Sequence, residues 1–516
     1  GASTLMSNEH GTRYGGHANG ATDGNGTPTQ QHIFYRDLHA RYPVVTRAKG
    51  IYLYEKNGKK IIDGAGGAAV VCLGHGNKRI IRAMKDQAEK VAFAHMSAFT
   101  NEPAIELSNL LAERAPGRLK RVYFTSGGSE AVETAIKLAR AYHLERGKTQ
   151  KFKVISRSIS YHGATIGALS MTGTHLRRGK YVPMLASFPR ITPPYCYRCP
   201  YGLTPDMCEL ECAWELERAI VTEGPDNIAA FIAEPVIGAS APAVYPPVGY
   251  NEIIRKICDK YDILFIADEV MSGVGRTGKF LATEHYRARP HILCLSKGIS
   301  SGYAPLGAVL VNEHIFSEIR KSITGKFIHG HTFAGNPVSC RVGLEVIRII
   351  DEKKLVEKVA SDGVEFAKML VELRRHPLVG DVRVKGFLAG IEFVADRDTR
   401  DPFDPRIGVN RLVAHECLKR GLYVYPGSGS YQGNQGDHVL LAPPYIIKKR
   451  ELTKLVGILD EALGAVTARL AHESLLGTPG RALSRSLREE AKERSAGSHP
   501  LGRGALSKRS PRNDKP

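Results

Sequence analysis

The sequence predicts an α/β fold, with a large unit on a mainly parallel sheet and a smaller α+β unit beside it. Two observations predict it. From about residue 107 to residue 350, apolar runs of strand length alternate with amphipathic segments of helical length. Such alternation makes a parallel sheet with helices on both faces. After Pro337 the texture changes to long helical stretches and clustered short strands, the pattern of a separate α+β unit. Length agrees, since 516 residues exceed one ordinary domain and suit a large catalytic unit with a companion.

Taken in order, residues 1–30 are rich in Gly, Ser, Asn and Thr. They are expected to be disordered, the first six an expression remnant, and they lack the apolar core of a signal peptide. Residues 31–90 are assigned to the smaller unit and 91–337 to the large one, with a Cys-rich insertion at about 193–213. Within the large unit, 122–125, 153–156, 228–233, 263–267 and 292–295 read as short buried strands rich in Ile, Val and Phe. Residues 130–142 read as a helix, apolar at 131, 132, 135, 136, 138, 139 and 142. The segment 338–475 completes the smaller unit: a long helical stretch over 338–374, strands within 382–393, a helix at 409–420, short strands near 424 and 439–441, and a last helix at 449–472. Residues 476–516 have no apolar periodicity and read as a basic disordered tail.

Composition narrows the function. With 42% hydrophobic and 24% charged residues, wholesale disorder is excluded. No apolar run approaches the roughly 18 residues of a membrane span, so a soluble, cytoplasmic protein without a membrane partner is expected. The net charge of +20 is partly an end effect, because residues 476–516 carry ten Lys/Arg against four Asp/Glu. The tail is read as solvated rather than as a nucleic-acid contact, and the charge spread over the body suits anionic small molecules as well. Nine cysteines make an odd count that argues against a closed disulfide framework. Cys196, Cys199, Cys208 and Cys212 cluster as C-x2-C-x8-C-x3-C. A structural zinc, local disulfides and free thiols all remain open for them.

Chemistry collects just past the strands. Ser126, Gly127 and Gly128 lie between a strand and the 130–142 helix, where small residues and a helix N-terminus suit an anion. Asp268 ends the most apolar strand, and a carboxylate there requires a cation or a protonated ring nitrogen. Lys297 ends another strand, where burial can turn an amine into an imine-forming nucleophile. Tyr161 and His162, in Tyr-His-Gly, offer a face for a planar ring, and Thr332 offers a hydroxyl to a phosphate. Singly, each has an ordinary loop explanation. Together they fall at the carboxyl ends of strands in one sheet, the crevice where α/β proteins bind ligands. The stretch 273–278 matches G-x-G-x-x-G, but no acidic residue follows at about 20 positions, and Phe280 fills the Ser/Thr position of a Walker loop.

Six motifs in order carry a resemblance: S-G-G-S-E-A-V-E from 126, Y-H-G from 161, A-E-P-V from 233, D-E-V from 268 with G-R-T-G from 275, L-S-K-G from 295 and H-T-F-A-G-N from 331. From about residue 50 to 464 the chain resembles the class III aminotransferases, pyridoxal-phosphate enzymes of fold type I with a seven-stranded sheet. The resemblance implies pyridoxal 5'-phosphate as cofactor, with Lys297 joined to it through an imine and shuttling the proton. It places Asp268 at the pyridinium nitrogen, Val270 and Tyr161 on the two ring faces, and His162 and Glu234 beside the cofactor. Ser126, Gly127 and Gly128 would hold the phosphate with Thr332 of the partner subunit, so a homodimer or dimer of dimers is implied.

Two departures from the family pattern bear on the substrate. Relatives usually carry an arginine for the keto-acid carboxylate shortly before a G-D-H-like stretch. Here residues 422–447 contain no Lys or Arg, and Gly433 stands on that ground. Many relatives also place a tryptophan where Ala69 falls. The expected activity is therefore transfer of an amino group from a bulky or long primary amine, with no need of an α-carboxylate, to a keto acid such as pyruvate. An aminomutase or decarboxylase of the same fold, or a non-catalytic nucleic-acid-binding protein using its tail, are the alternatives.

Overall fold

Continuous burial of Ile228–Ala233 and Leu264–Asp268 on both faces follows from their lack of polar alternation, and it puts them at the centre of a covered sheet. In the computed structural model, which describes residues 32–476, that sheet has seven strands. Their order is Leu119–Thr125, Gly307–Asn312, Ile292–Leu295, Leu264–Asp268, Ile228–Ala233, Lys153–Arg157 and Arg190–Ile191. Only Gly307–Asn312 runs against its neighbours; the other pairings are parallel. All five strands expected here form, within a few residues of their expected ends. The reversed strand follows Ile292–Leu295 after a short 3-10 turn, Lys297–Ile299, with no helical crossover to bring it back parallel.

Two smaller four-stranded sheets complete the fold. One is antiparallel and orders Val379–Lys385, Leu388–Phe393, Gln435–Leu441 and Tyr425–Tyr431. The other joins Val45–Lys49, Tyr52–Glu55 and Lys60–Asp63 to Leu422–Tyr423, the last two in parallel. Residues from both ends of the chain thus share a sheet. The stretch 338–374 is two helices, Pro337–Glu352 and Leu355–Val371, because Lys354 between them adopts a left-handed φ of 49°. Apolar periodicity runs across that break, which is why the pattern alone reads as one helix. The final helix spans Lys449–His472, as its periodicity predicts. The tail from residue 477 and the N-terminal residues 1–31 lie outside the described residues.

The Cys-rich excursion is held by charge. Buried Glu392, on Leu388–Phe393, accepts from Tyr195, Arg198 and Arg383. Those partners hold its pKa at about 2, against the burial that alone would raise it. The cysteines of the excursion are free thiols. Burial, and then the neighbouring thiols, push Cys212 up to about 12, so it stays protonated at neutral pH. Among the described residues no group of three or more His, Cys, Asp or Glu side chains is arranged to hold a metal ion. Nor, among them, is any helix long and apolar enough to cross a membrane.

Candidate active site

Two hollows compete as the site. The larger, 720 Å³, lies among Thr277–Lys279, Ala360, Glu372 and Val384–Gly386 and is an open groove edged by surface lysines. The smaller, 150 Å³, lies at the carboxyl ends of the central strands and is lined by Gly128, Ser129, Tyr161, His162, Gly163, Glu234, Asp268, Val270 and Lys297, among others. Buried ionisable groups converge only on the second, and that decides between them.

Asp268 is the last residue of its strand and is 4% exposed. Its Oδ1 accepts from the Val270 N–H at 3.0 Å, and its Oδ2 lies 2.8 Å from His162 Nδ1. The other ring nitrogen, His162 Nε2, is buried with no partner. Lys297 follows the next strand and sits at a left-handed φ of 50°, a conformation that a non-glycine residue holds only where its surroundings enforce it. Its Nζ donates to the Ala68 carbonyl at 3.0 Å. Burial pushes its pKa down to about 8, assisted by Arg177 and Arg276 and opposed by Asp268 and Glu234. A large fraction of this amine is therefore neutral near pH 8 and can act as a nucleophile.

Glu234 acts on the backbone around the cavity. Its Oε1 accepts from the Tyr161 N–H at 3.1 Å and its Oε2 from the Gly238 N–H at 3.0 Å, while burial raises its pKa. Gly163 lets this turn press close, since a Cβ there would stand 2.6 Å from Ser129 Oγ, the atom that accepts the Ala164 N–H. Gly127 caps the 18-residue helix Gly128–Glu145 with no side chain, leaving first-turn N–H groups free for an anion. The Ser126 N–H already donates to the Glu130 carboxylate at 2.8 Å.

The structure thus brings Gly128, Tyr161, His162, Glu234, Asp268, Val270 and Lys297 onto one lining, with Ser126 and Gly127 just behind it. Three sequence-derived candidates are not among the residues lining this chain's cavity. Thr332 is exposed on the surface. Ala69 is 2% exposed and packs just behind the lining, in an apolar cluster with the lining residues Val236 and Met271, next to Ala68, whose carbonyl accepts from Lys297 Nζ. Gly433 occupies the turn between Tyr425–Tyr431 and Gln435–Leu441, where its carbonyl accepts from the Leu176 N–H. Two arginines escaped the sequence reading. Arg157 is buried and donates to the Glu234 carbonyl; Arg177 lies 4.6 Å over the Tyr161 ring. An arginine closing a buried strand was a legible signal for the first, whereas nothing local marks the second.

Comparison with known proteins agrees with this geometry. The family described as "Aminotransferase class-III" matches residues 35–463. An uncharacterized aminotransferase, YodT, of Bacillus subtilis is 41% identical over 438 residues, covering 85% of this chain and 98% of the relative. The putrescine–pyruvate aminotransferase of Pseudomonas aeruginosa is 35% identical over 431 residues, 82% of this chain and 92% of the relative. The solved omega transaminase of Pseudomonas jessenii in complex with PMP superposes with a TM-score of 0.79 at 36% identity, covering 83% of this chain and 94% of that one.

Proposed function

We propose, for a chain that belongs to the class III aminotransferases, that it moves an amino group from a long or bulky primary amine to a keto acid such as pyruvate. The family depends on pyridoxal phosphate, and the residues here fit that group. An uncapped helix N-terminus suits its anionic end, a buried carboxylate paired with His162 suits a protonated ring nitrogen, and a half-neutral, half-buried lysine suits its carbonyl. When bound, the cofactor supplies an electrophilic carbonyl and a conjugated ring that takes up electrons.

The chain's own residues do the rest. Gly127 and Gly128 hold the anionic end through backbone N–H groups. Asp268 presents its carboxylate to the cavity, with His162 orienting it. Val270 and Tyr161 close the cavity around a planar ring. Lys297 Nζ takes and returns the proton that must move between the amine carbon and the carbonyl carbon, a task its lowered pKa suits. Glu234 positions the Tyr161 and Gly238 backbone rather than touching the reacting atoms.

The active unit is a cytoplasmic homodimer in this reading. Phe93, Phe99, Ile328 and Phe333 stand 46%, 68%, 84% and 61% exposed, and the rings of Phe93 and Phe333 touch edge to face. An apolar patch of that kind marks a surface covered by another chain. Thr332 lies next to Phe333 on this exposed stretch and is not among the residues lining this chain's own cavity. A long amine and a pyruvate acceptor are supported by the putrescine–pyruvate relative.

The observation that carries the proposal is the meeting of a buried Asp268 and a half-buried Lys297 in one cavity at a helix N-terminus. The test mixes the purified chain and pyridoxal phosphate with putrescine and pyruvate. Alanine should form in step with the oxidised amine, without CO₂. A second mixture holds ornithine, which carries a carboxylate, without pyruvate; CO₂ or an isomerised diamino acid formed there would instead establish a decarboxylase or an aminomutase.

A further inference from the structure

A keto acid brings a carboxylate to the cavity, and a buried carboxylate needs a cation. The cations near Lys297 are few. Arg276 is held away from any ligand by backbone: its two terminal nitrogens donate to the carbonyls of Phe387, Pro443 and Val71, the guanidinium lies on the Tyr445 ring, and only its buried Nε lacks a partner. Arg157 is buried behind the lining and is committed to the Glu234 carbonyl. Arg178 has its Nε buried without a partner, and its charge acts on Arg190, away from the cavity.

Arg177 differs from all three. Its guanidinium lies 4.6 Å over the Tyr161 ring, and that ring lines the cavity. Among the described residues it forms no ion pair and no side-chain hydrogen bond with any protein group. Its charge nevertheless reaches Lys297. Its short helix, His175–Arg178, packs on the Gly433 turn, with the Leu176 N–H donating to the Gly433 carbonyl at 3.4 Å and Thr174 against Gly429. An arginine from a distant part of the sequence therefore stands beside the turn that has no cation of its own. Stacking on an aromatic face holds the planar fork in place while leaving its N–H edges free for a bidentate partner.

We propose that Arg177 binds the carboxylate of the keto-acid acceptor. The inference rests on the transaminase reading of the same cavity, and it makes the acceptor half of the reaction, not the amine half, depend on this residue.

The experiment compares the wild type with Arg177→Gln and Arg177→Lys, both loaded with pyridoxal phosphate. Kinetics are measured with pyruvate and with propanal, an acceptor of similar size without a carboxylate, at a fixed concentration of putrescine. Propanoate, an unreactive carboxylate, is titrated into each variant by calorimetry. For Arg177→Gln, kcat/KM for pyruvate should fall about 10- to 100-fold, mainly through KM. The value for propanal should stay within about threefold, and propanoate should bind at least about tenfold more weakly. Arg177→Lys should recover part of both carboxylate effects. Equal losses on pyruvate and propanal, or propanoate binding that ignores the substitution, would overturn the assignment of Arg177. A wild type that turns over neither acceptor would sink the transaminase reading instead, and the propanoate titration would still decide whether Arg177 holds a carboxylate.

Discussion

Replacing Gly128 by alanine sets two small effects against each other. Gly128 is the first residue of its helix and is not held at a positive φ, so alanine suits the backbone and gains up to about 1 kcal/mol in helix propensity. Packing opposes it. The added Cβ would stand 2.8 Å from Val270 Cγ1 and 3.2 Å from Cγ2, well inside ordinary carbon contact. Val270 has little room to retreat, because its N–H is bound to Asp268 and its side chain packs on the apolar cluster beneath the sheet. Overpacking of this kind costs about 1–3 kcal/mol, which leaves a net loss of roughly 0–3 kcal/mol in fold stability. The larger effect falls on the cavity, where Val270 is pushed into the space a planar ring would fill. Titrating pyridoxal phosphate into the apoenzyme should show Kd raised about tenfold or more, or about 1.4 kcal/mol. Val270→Ala removes both clashing methyl carbons, so the double variant should bind better than the two single effects summed, by about 1–2 kcal/mol. A Kd for Gly128→Ala within twofold of the wild type, or strict additivity in the double variant, would refute the reasoning.

Lys297→Ala should lose more than about a thousandfold in turnover, roughly 4 kcal/mol of barrier, while the cofactor still binds through the helix N-terminus. Borohydride should no longer fix the cofactor to the protein, and retained fixation would point to another lysine. Acid should unfold the protein early. His143 and His438 are fully buried, each with Nε2 on a backbone carbonyl, and burial holds both down to about 4 from 6.5. The unfolded chain takes up protons first as pH falls, so their contribution is whole above about pH 6.5 and is lost on the way down to about 4. That loss is up to roughly 3 kcal/mol each, and urea midpoints at pH 7.5 and pH 5 should show it, with a smaller difference in His143→Gln. Glu392→Gln should cost about 3–5 kcal/mol by leaving Arg198 buried without its anion and Arg383 with Asp381 alone, seen as a lower urea midpoint, whereas an unchanged midpoint would mean that water already reaches this cluster.

Much of the fold was legible because burial writes itself into composition. Strands such as Ile228–Ala233 and Ile292–Leu295 are covered on both faces and read as unbroken apolar runs. Strand direction is not written that way, so nothing in Gly-Ala-Val-Leu-Val-Asn announces that Gly307–Asn312 runs against its neighbours. The break at Lys354 was hidden for a related reason, since one residue in a left-handed conformation leaves the apolar period on either side intact. At the site, Asp268 and Lys297 stood out because charge at the end of an apolar strand is costly and needs a purpose. Arg177 did not, because its meaning lies in the Tyr161 ring and the Gly433 turn, neither of which is its neighbour in sequence. Ala69 lies between these cases: its pattern position marked it for the pocket, and it packs behind the lining on Val236 and Met271.

The parallel pairing of Lys60–Asp63 with Leu422–Tyr423 has a consequence for how the protein is made. A ribosome releases the first strand long before the second exists, so Ile61 and Ile62, both buried in the finished molecule, must wait with one edge unpaired. The central sheet, contained between them in the chain, can assemble meanwhile from contacts of shorter range. Closing the outer sheet is then a late event of folding, and the waiting edge is the place where crowded nascent chains would stick to one another. Translation that stops short of Leu422 would leave the beginning of the protein unfinished as well as its end.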